Sequence, residues 1–339
     1  MTVFSYFALY TYVIPISLFV TMEISRLFQG RFMMWDKQMR MYMTTSSGQR
    51  KIRMQANNTN LNEELALIDY VFSDKTGTLT RNCMRSAKWY VNATEFDELE
   101  TPAVLLKHIK QGGEKGDIPL FARAVAVCHG AIPSIDEKTG VLNYESQSPD
   151  ETALLNGIRE NGMAVLSRNK NLLKVENTLL ENATETYEIL STQEFNSDRK
   201  RMSVVVRIGN QVHLYIKGAD NIIIDRLSKT RPENSQEKLD EVLTALRDFS
   251  VLGLRTLCVA YKVLSEEEYQ EFKQEMDTAQ VALEDREEKI GQVAERWERD
   301  LVFLGCTAIE DRLQDEVPET IEFLLKVCFL ISFIEELIV

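Results

Sequence analysis

An aspartate followed by Lys-Thr-Gly-Thr-Leu-Thr, from Asp74 to Thr80, concentrates more chemistry than any other stretch of this sequence. A carboxylate can act as nucleophile toward a phosphoryl group when its surroundings take up the charge of transfer. Here Gly77, the backbone N–H groups and the Thr hydroxyls can hold phosphate oxygens, and Lys75 offers a cation for the charge that develops. The preceding Leu65 to Phe72 (LALIDYVF) is nearly continuously apolar, which predicts a strand buried on both faces of a parallel sheet. Asp74 then stands at the carboxyl end of that strand, where open α/β sheets place their ligands. A turn stabilised only by Asp and Thr does not call for all seven residues.

The heptapeptide resembles the phosphorylation loop of the P-type ATPases. The resemblance implies that Asp74 becomes an acyl phosphate, that Asp74, Lys75 and Thr76 meet the nucleotide phosphates, and that Asp74 with the Thr76 carbonyl binds Mg²⁺. Two later segments, Phe195-Asn196-Ser197-Asp198-Arg199-Lys200-Arg201-Met202-Ser203 and Lys217-Gly218-Ala219-Asp220, resemble nucleotide-binding signatures of the phospholipid flippases, the type IV subfamily. An aromatic ring can stack on adenine, and lysines can neutralise phosphates. The resemblance assigns adenine stacking to Phe195 and nucleotide contacts to Ser197, Lys200, Lys217 and Arg255. Taken alone, Phe195 reads as a core residue and the lysines as a solvated edge. Pro149-Asp150-Glu151 fits the family pattern for a nucleotide contact at Glu151, while the same glutamate completes a capping box with Ser148; the two readings can coexist. ATP and Mg²⁺ are the cofactors implied.

These residues need elements to hold them. Ser148 as N-cap, Pro149 in first position and Asn161-Gly162 at the close predict a helix through Arg159. The period then changes to two over Thr186 to Phe195, Arg201 to Ile208 and Gln211 to Lys217, the last two joined at Gly209-Asn210, so an antiparallel sheet is expected. An amphipathic helix over Glu237 to Phe249 and a strand over Arg255 to Lys262 follow. The charged run Ser265 to Arg299 reads as long solvated helices, Leu301 to Ile309 (LVFLGCTAI) as a second buried strand, and Pro318 onward as a helix. Asp311-Arg312-Leu313-Gln314-Asp315 resembles the family's hinge back into the phosphorylation domain, and Glu316 stands where the subfamily usually has glycine. The expected fold class is α/β: a haloacid-dehalogenase-like parallel-sheet phosphorylation domain split by an inserted α+β nucleotide-binding domain, preceded by one transmembrane helix. The predicted boundaries are 1–24 for the transmembrane helix, 25–60 for a cytosolic stalk, 61–81 and 301–326 for the two parts of the phosphorylation domain, and 82–300 for the nucleotide-binding domain. Residues 327–339 form an atypical apolar tail.

Met1 to Met22 carries no charge, enough to cross hydrocarbon, and the flank behind it is basic (Arg26, Arg31, Lys37, Arg40, Arg50, Lys51 and Arg53 against Asp36). That pattern predicts an integral membrane protein whose main domains are cytosolic. Tyr12-Val13-Ile14-Pro15-Ile16-Ser17-Leu18 resembles the broken helix of the flippases, and Ile16 replaces the acidic residue found there in cation pumps, which favours a bulky or amphipathic cargo over a bare cation; the resemblance implies a phospholipid. A net charge of −13 excludes general affinity for nucleic acid, and five scattered cysteines with three histidines show no zinc spacing. The resemblance also implies an accessory membrane subunit for the full-length parent. It runs to about Lys326; the Thr-Gly-Asp and Gly-Asp-Gly segments and the actuator loop of the family are not in the sequence. The reading is therefore a fragment of an ATP-driven phospholipid flippase that does not turn over ATP by itself. The alternatives are a membrane-tethered nucleotide-binding module without turnover and a haloacid-dehalogenase-type phosphohydrolase.

Overall fold

A computed structural model of the chain describes residues 5–6, 10, 16–45, 48–59, 61, 64–97, 117–137, 139–178, 183–282, 284–326 and 330–334. The chain divides into two compact units, one made of Met1–Lys75 with Asp315–Val339, the other of Thr76–Gln314.

The first unit holds helix α1 (Ile16–Trp35), the antiparallel pair β1 (Arg40–Thr45) and β2 (Gly48–Arg53), and strand β3 (Tyr70–Asp74). Apolar side chains of α1 lie exposed on more than one side, among them Leu18, Phe19, Val20, Leu27 and Phe28. Half of the span expected over 1–24 falls outside the described residues, and the helix continues to Trp35. Among the described residues no helix is long and apolar enough to cross a membrane.

The strand expected at Leu65 to Phe72 lies later in the chain. Glu64–Leu67 is a 3-10 turn, and pairing begins at Tyr70. β3 is not buried on both faces: Tyr70 is 57% and Phe72 64% exposed. Among the described residues its partner is one parallel strand, Leu330–Ile334, in register from Leu330↔Tyr70 to Ile334↔Asp74. Five residues of the supposed atypical tail thus form a strand; 327–329 and 335–339 lie outside the described residues.

The second unit is built on a nine-stranded sheet. Its strands are β4 (Thr80–Val91), β5 (Thr94–Asp97), β8 (Met163–Arg168), β9 (Leu172–Asn177), β10 (Ala183–Gln193), β11 (Arg201–Ile208), β12 (Gln211–Gly218), β13 (Arg255–Leu264) and β14 (Val302–Leu313). A small pair, β6 (Ile132–Ile135) and β7 (Leu142–Glu145), stands apart from it. The spatial order β5-β4-β14-β13-β12-β11-β10-β9-β8 is antiparallel at every pairing. This corrects the placement of Leu301 to Ile309, which forms the third strand of this sheet rather than part of a parallel one.

The error has a physical origin, since both faces of the sheet are covered. Helices α2 (Asp117–Val127) and α3 (Pro149–Glu160) pack on one face with Val204, Val206, Tyr215, Val259, Leu304 and Ile309. Helices α4 (Asp220–Ile224), α5 (Gln236–Val251), α6 (Glu266–Gln280) and α7 (Arg286–Trp297) cover the other face with Val205, Leu214, Ile216, Cys258, Cys306 and Ala308. A strand buried on both sides reads as a continuous apolar run whichever way its neighbours point. The charged α6 and α7 are helices as expected, yet they bury Tyr269, Phe272, Met276 and Trp297. The helix expected from Pro318 runs over Val317–Lys326, and Glu316 just before it has a positive φ of 65°.

Candidate functional site

The residues expected to meet nucleotide gather at one end of the central strands. Arg201 opens β11 opposite Gly218, which closes β12, and Gly218 in turn faces Cys258 of β13, three residues after Arg255. The approach is tight: a Cβ on Gly218 would lie 2.6 Å from the Arg201 Cβ and 2.7 Å from the Lys200 carbonyl oxygen. Lys200 itself takes a positive φ of 50° and accepts from the Ala219 N–H at 3.0 Å. Left-handed backbone at a residue other than glycine carries strain that the surroundings must hold in place.

Glu151 and Lys217 form the centre of this arrangement. The Lys217 ammonium donates to Glu151 Oε1 at 2.8 Å, and both side chains are largely buried. Glu151 Oε2 accepts from the Gly130 N–H at 3.0 Å and the Ser146 hydroxyl at 2.9 Å. Burial works to raise the Glu151 carboxyl, but Lys217 and these donors outweigh it and hold the group below the usual carboxylate range. Ser148 does occupy the N-cap of α3, with Pro149 following, but its side chain makes no capping bond. The predicted capping box is therefore not formed. A true one closes at α6, where Ser265 accepts from the Glu268 N–H and Glu268 accepts from the Ser265 N–H.

The remaining expected residues lie on neighbouring elements at this end of the sheet. Arg255 is exposed and lies 3.2 Å from both Asp150 carboxylate oxygens, next in sequence to Glu151. Phe195, 58% exposed, and the exposed Ser197 belong to the loop between β10 and β11. Asn196 shapes that loop: its Oδ1 accepts from the Arg199 N–H at 2.7 Å and its carbonyl from the Lys200 N–H at 2.9 Å.

Sequence reading missed what anchors the loop. Glu298, 1% exposed, accepts from Arg199, from Arg201 and from the Ser203 hydroxyl. Glu295 adds bonds from Arg201 and Arg226. The partners are separated by up to 99 residues, and in sequence both acids merge with a charged helix, so no local pattern marks them.

Asp74 and Lys75 belong to the other unit, at the end of β3. Asp74 is exposed, and Lys75–Leu79 forms a distorted turn in which Thr76 (φ −77°, ψ 119°) and Gly77 (φ 81°) leave helical geometry. A positive φ is what glycine supplies without strain. The Asp74 carboxylate and the Thr76 carbonyl are hard oxygen donors, the kind that Mg²⁺ prefers. Among the described residues no group of three or more His, Cys, Asp or Glu side chains is placed to hold a metal.

The family description "P-type ATPase, cytoplasmic domain N" matches residues 117–316. The chain belongs to the P-type ATPase family. Among curated relatives of this P-type ATPase chain, Phospholipid-transporting ATPase IC of Homo sapiens is 40% identical over 92% of the chain and 26% of the relative. Phospholipid-transporting ATPase C887.12 of Schizosaccharomyces pombe is 37% identical over 94% and 26%, and Phospholipid-transporting ATPase 10 of Arabidopsis thaliana 35% over 94% and 29%. The likeness to the phospholipid-transporting subfamily therefore holds along nearly the whole chain, which spans about a quarter of the length of these relatives.

Proposed function

We propose that this P-type ATPase chain is the nucleotide-binding and phosphorylation part of an ATP-driven phospholipid flippase. Glu151, Phe195, Ser197, Lys200, Lys217 and Arg255 bind ATP, and Asp74 accepts its γ-phosphoryl group with Lys75 and Thr76 beside it. An Asp74 carboxylate oxygen attacks the γ-phosphorus, the bond to the bridging oxygen breaks, and ADP leaves; in the whole protein, and not in this chain alone, water would later cleave the acyl phosphate and release inorganic phosphate. Mg²⁺, held by Asp74 and the Thr76 carbonyl, would supply charge neutralisation at the phosphate oxygens. The whole protein would couple this cycle to movement of phospholipid toward the cytosolic leaflet, with the uncharged N-terminal segment in the membrane, the main domains in the cytosol and an accessory membrane subunit as partner. A phosphorylation domain divided by an inserted nucleotide-binding domain is part of this reading, and the parallel pairing of the Asp74 strand with Leu330–Ile334 supports it.

The observation that carries the proposal is the convergence of Glu151, Lys217 and the Lys200–Gly218 contact on one sheet end in a chain of this family. Titration of the purified chain with ATP should give micromolar to millimolar affinity, and Phe195→Ala should weaken it by roughly 1 to 3 kcal/mol. With Mg²⁺ and ATP labelled on the γ-phosphate, hydroxylamine-sensitive label should form and vanish in Asp74→Asn. Absence of binding, or label that survives Asp74→Asn, overturns the assignment.

A further inference from the structure

Around the Glu151–Lys217 pair lie polar groups that take no part in it. His129 is 1% exposed, and among the described residues its ring nitrogens make no well-formed hydrogen bond, with the Ala131 backbone as a looser polar contact. Arg168, the last residue of β8, has its Nη1 buried and without a partner among the described residues. Arg168 interacts electrostatically with Cys128, Glu151 and Glu194, and His129 with Arg168, Lys217 and Glu151, so these groups share one neighbourhood. Burial, with Arg168 and Lys217 nearby, keeps the His129 ring neutral, which leaves it one donor and one acceptor to satisfy. Native structures leave few buried polar groups unmatched, and each such group calls for an explanation.

The backbone beneath Arg168 is irregular as well. The β8–β9 register shifts between Val165 and Ser167, a bulge of the kind that re-aims a side chain beside a functional site. Neither Glu151 nor Glu194 forms an ion pair with Arg168: Glu151 pairs with Lys217, and Glu194 is exposed. Glu194 directly precedes Phe195, so the charge of Arg168 acts both on Glu151 and on the start of the loop that carries the ring.

We propose that Arg168 is a further nucleotide-binding residue, its guanidinium taking an oxygen of the bound phosphate chain, with His129 as the polar wall beside it. This inference rests on the reading of this sheet end as a nucleotide site. A planar guanidinium is matched to phosphate oxygens in geometry and charge, and Nη1 of Arg168 is buried with no partner among the described residues.

The test titrates ATP and adenosine separately against the purified chain, Arg168→Gln, Arg168→Lys and Phe195→Ala, with thermal midpoints measured in parallel. Arg168→Gln should weaken ATP about tenfold and leave adenosine within about twofold, since one charge-assisted contact is removed and the base contacts stay. Arg168→Lys should recover part of the ATP loss, because it keeps the charge and loses the fork. Equal loss for ATP and adenosine, or no loss while Phe195→Ala weakens both, overturns the role of Arg168 and leaves the site reading standing. No effect of Phe195→Ala on a folded chain overturns the site itself. Should Arg168→Gln fail to fold, Arg168→Lys carries the comparison: a loss confined to ATP upholds the proposal, and a loss shared with adenosine ends it.

Discussion

At Glu151 a local rule and a distant contact compete for one carboxylate, and the distant contact wins. A capping bond is worth about 1 kcal/mol, whereas breaking a buried ion pair by removing one partner costs about 3 to 5 kcal/mol. The Ser-Pro-Asp-Glu pattern therefore located the start of α3 correctly, while the destination of the carboxylate depends on Lys217, 66 residues away, which no local pattern reveals. The two predicted roles of Glu151 rested on identical letters, and three-dimensional pairing is what separates them. Replacing it with glutamine should destabilise the protein by about 3 kcal/mol at neutral pH, because Lys217 is left buried without its counter-charge. The folded carboxyl sits below the usual carboxylate range, so its contribution is fully present above that range and fades as the pH falls through the lower, folded value. Urea unfolding of the parent and Glu151→Gln should differ most near neutral pH and converge as the solution is acidified below the usual carboxylate range. A constant difference from neutral to acid pH would show that the ion pair is not the source.

At the level of elements, the strands from β10 to β14 and the helices α3, α5, α6 and α7 were legible because each carries its own period, charge pattern or turn residues, whereas β4 to β9, α2 and α4 were not read from the sequence. The Gly209-Asn210 hairpin and the Gly162 stop are examples, and both glycines take positive φ. Partner choice was not legible, as β14 shows, because an apolar run reports burial and not direction. The β11–β12 contact can be tested. At Gly218 the nearest atoms to an added methyl include the Lys200 carbonyl oxygen and the Arg201 Cα at 2.9 Å, which are backbone and cannot swing aside. Gly218→Ala should therefore spread the two strands at the end where Lys200 and Lys217 sit. Overpacking of this kind costs about 1 to 3 kcal/mol. The expected outcome is a lower thermal midpoint together with weaker ATP binding. A variant with unchanged affinity would show that the Lys200 turn does not need the close approach.

At the scale of the whole molecule, motif order along the chain made the family readable, while the domain limits depend on pairing that sequence does not display. A boundary at residue 300 looked natural because a charged stretch ends there and an apolar run begins. In the fold that run is β14, which pairs β13 on one side and β4 on the other. A piece covering 82–300 would lack it. β4 and β5 would lose their link to the rest of the sheet, and Leu304 and Ile309 would be missing from one core while Cys306 and Ala308 would be missing from the other. A piece covering 76–314 keeps every strand of the sheet, together with the bonds from the Gln314 N–H to the Leu79 carbonyl and from the Gln314 side chain to the Thr80 carbonyl that close its two ends. Because all nine strands and both helical layers share one sheet, loss of an interior strand should abolish cooperative folding rather than merely weaken it. Expressed separately, 76–314 should give a single sharp thermal transition and bind ATP, whereas 82–300 should be aggregated or unfold without cooperativity. Equal transitions for the two pieces would mean that β14 is dispensable, and with it the nine-stranded arrangement.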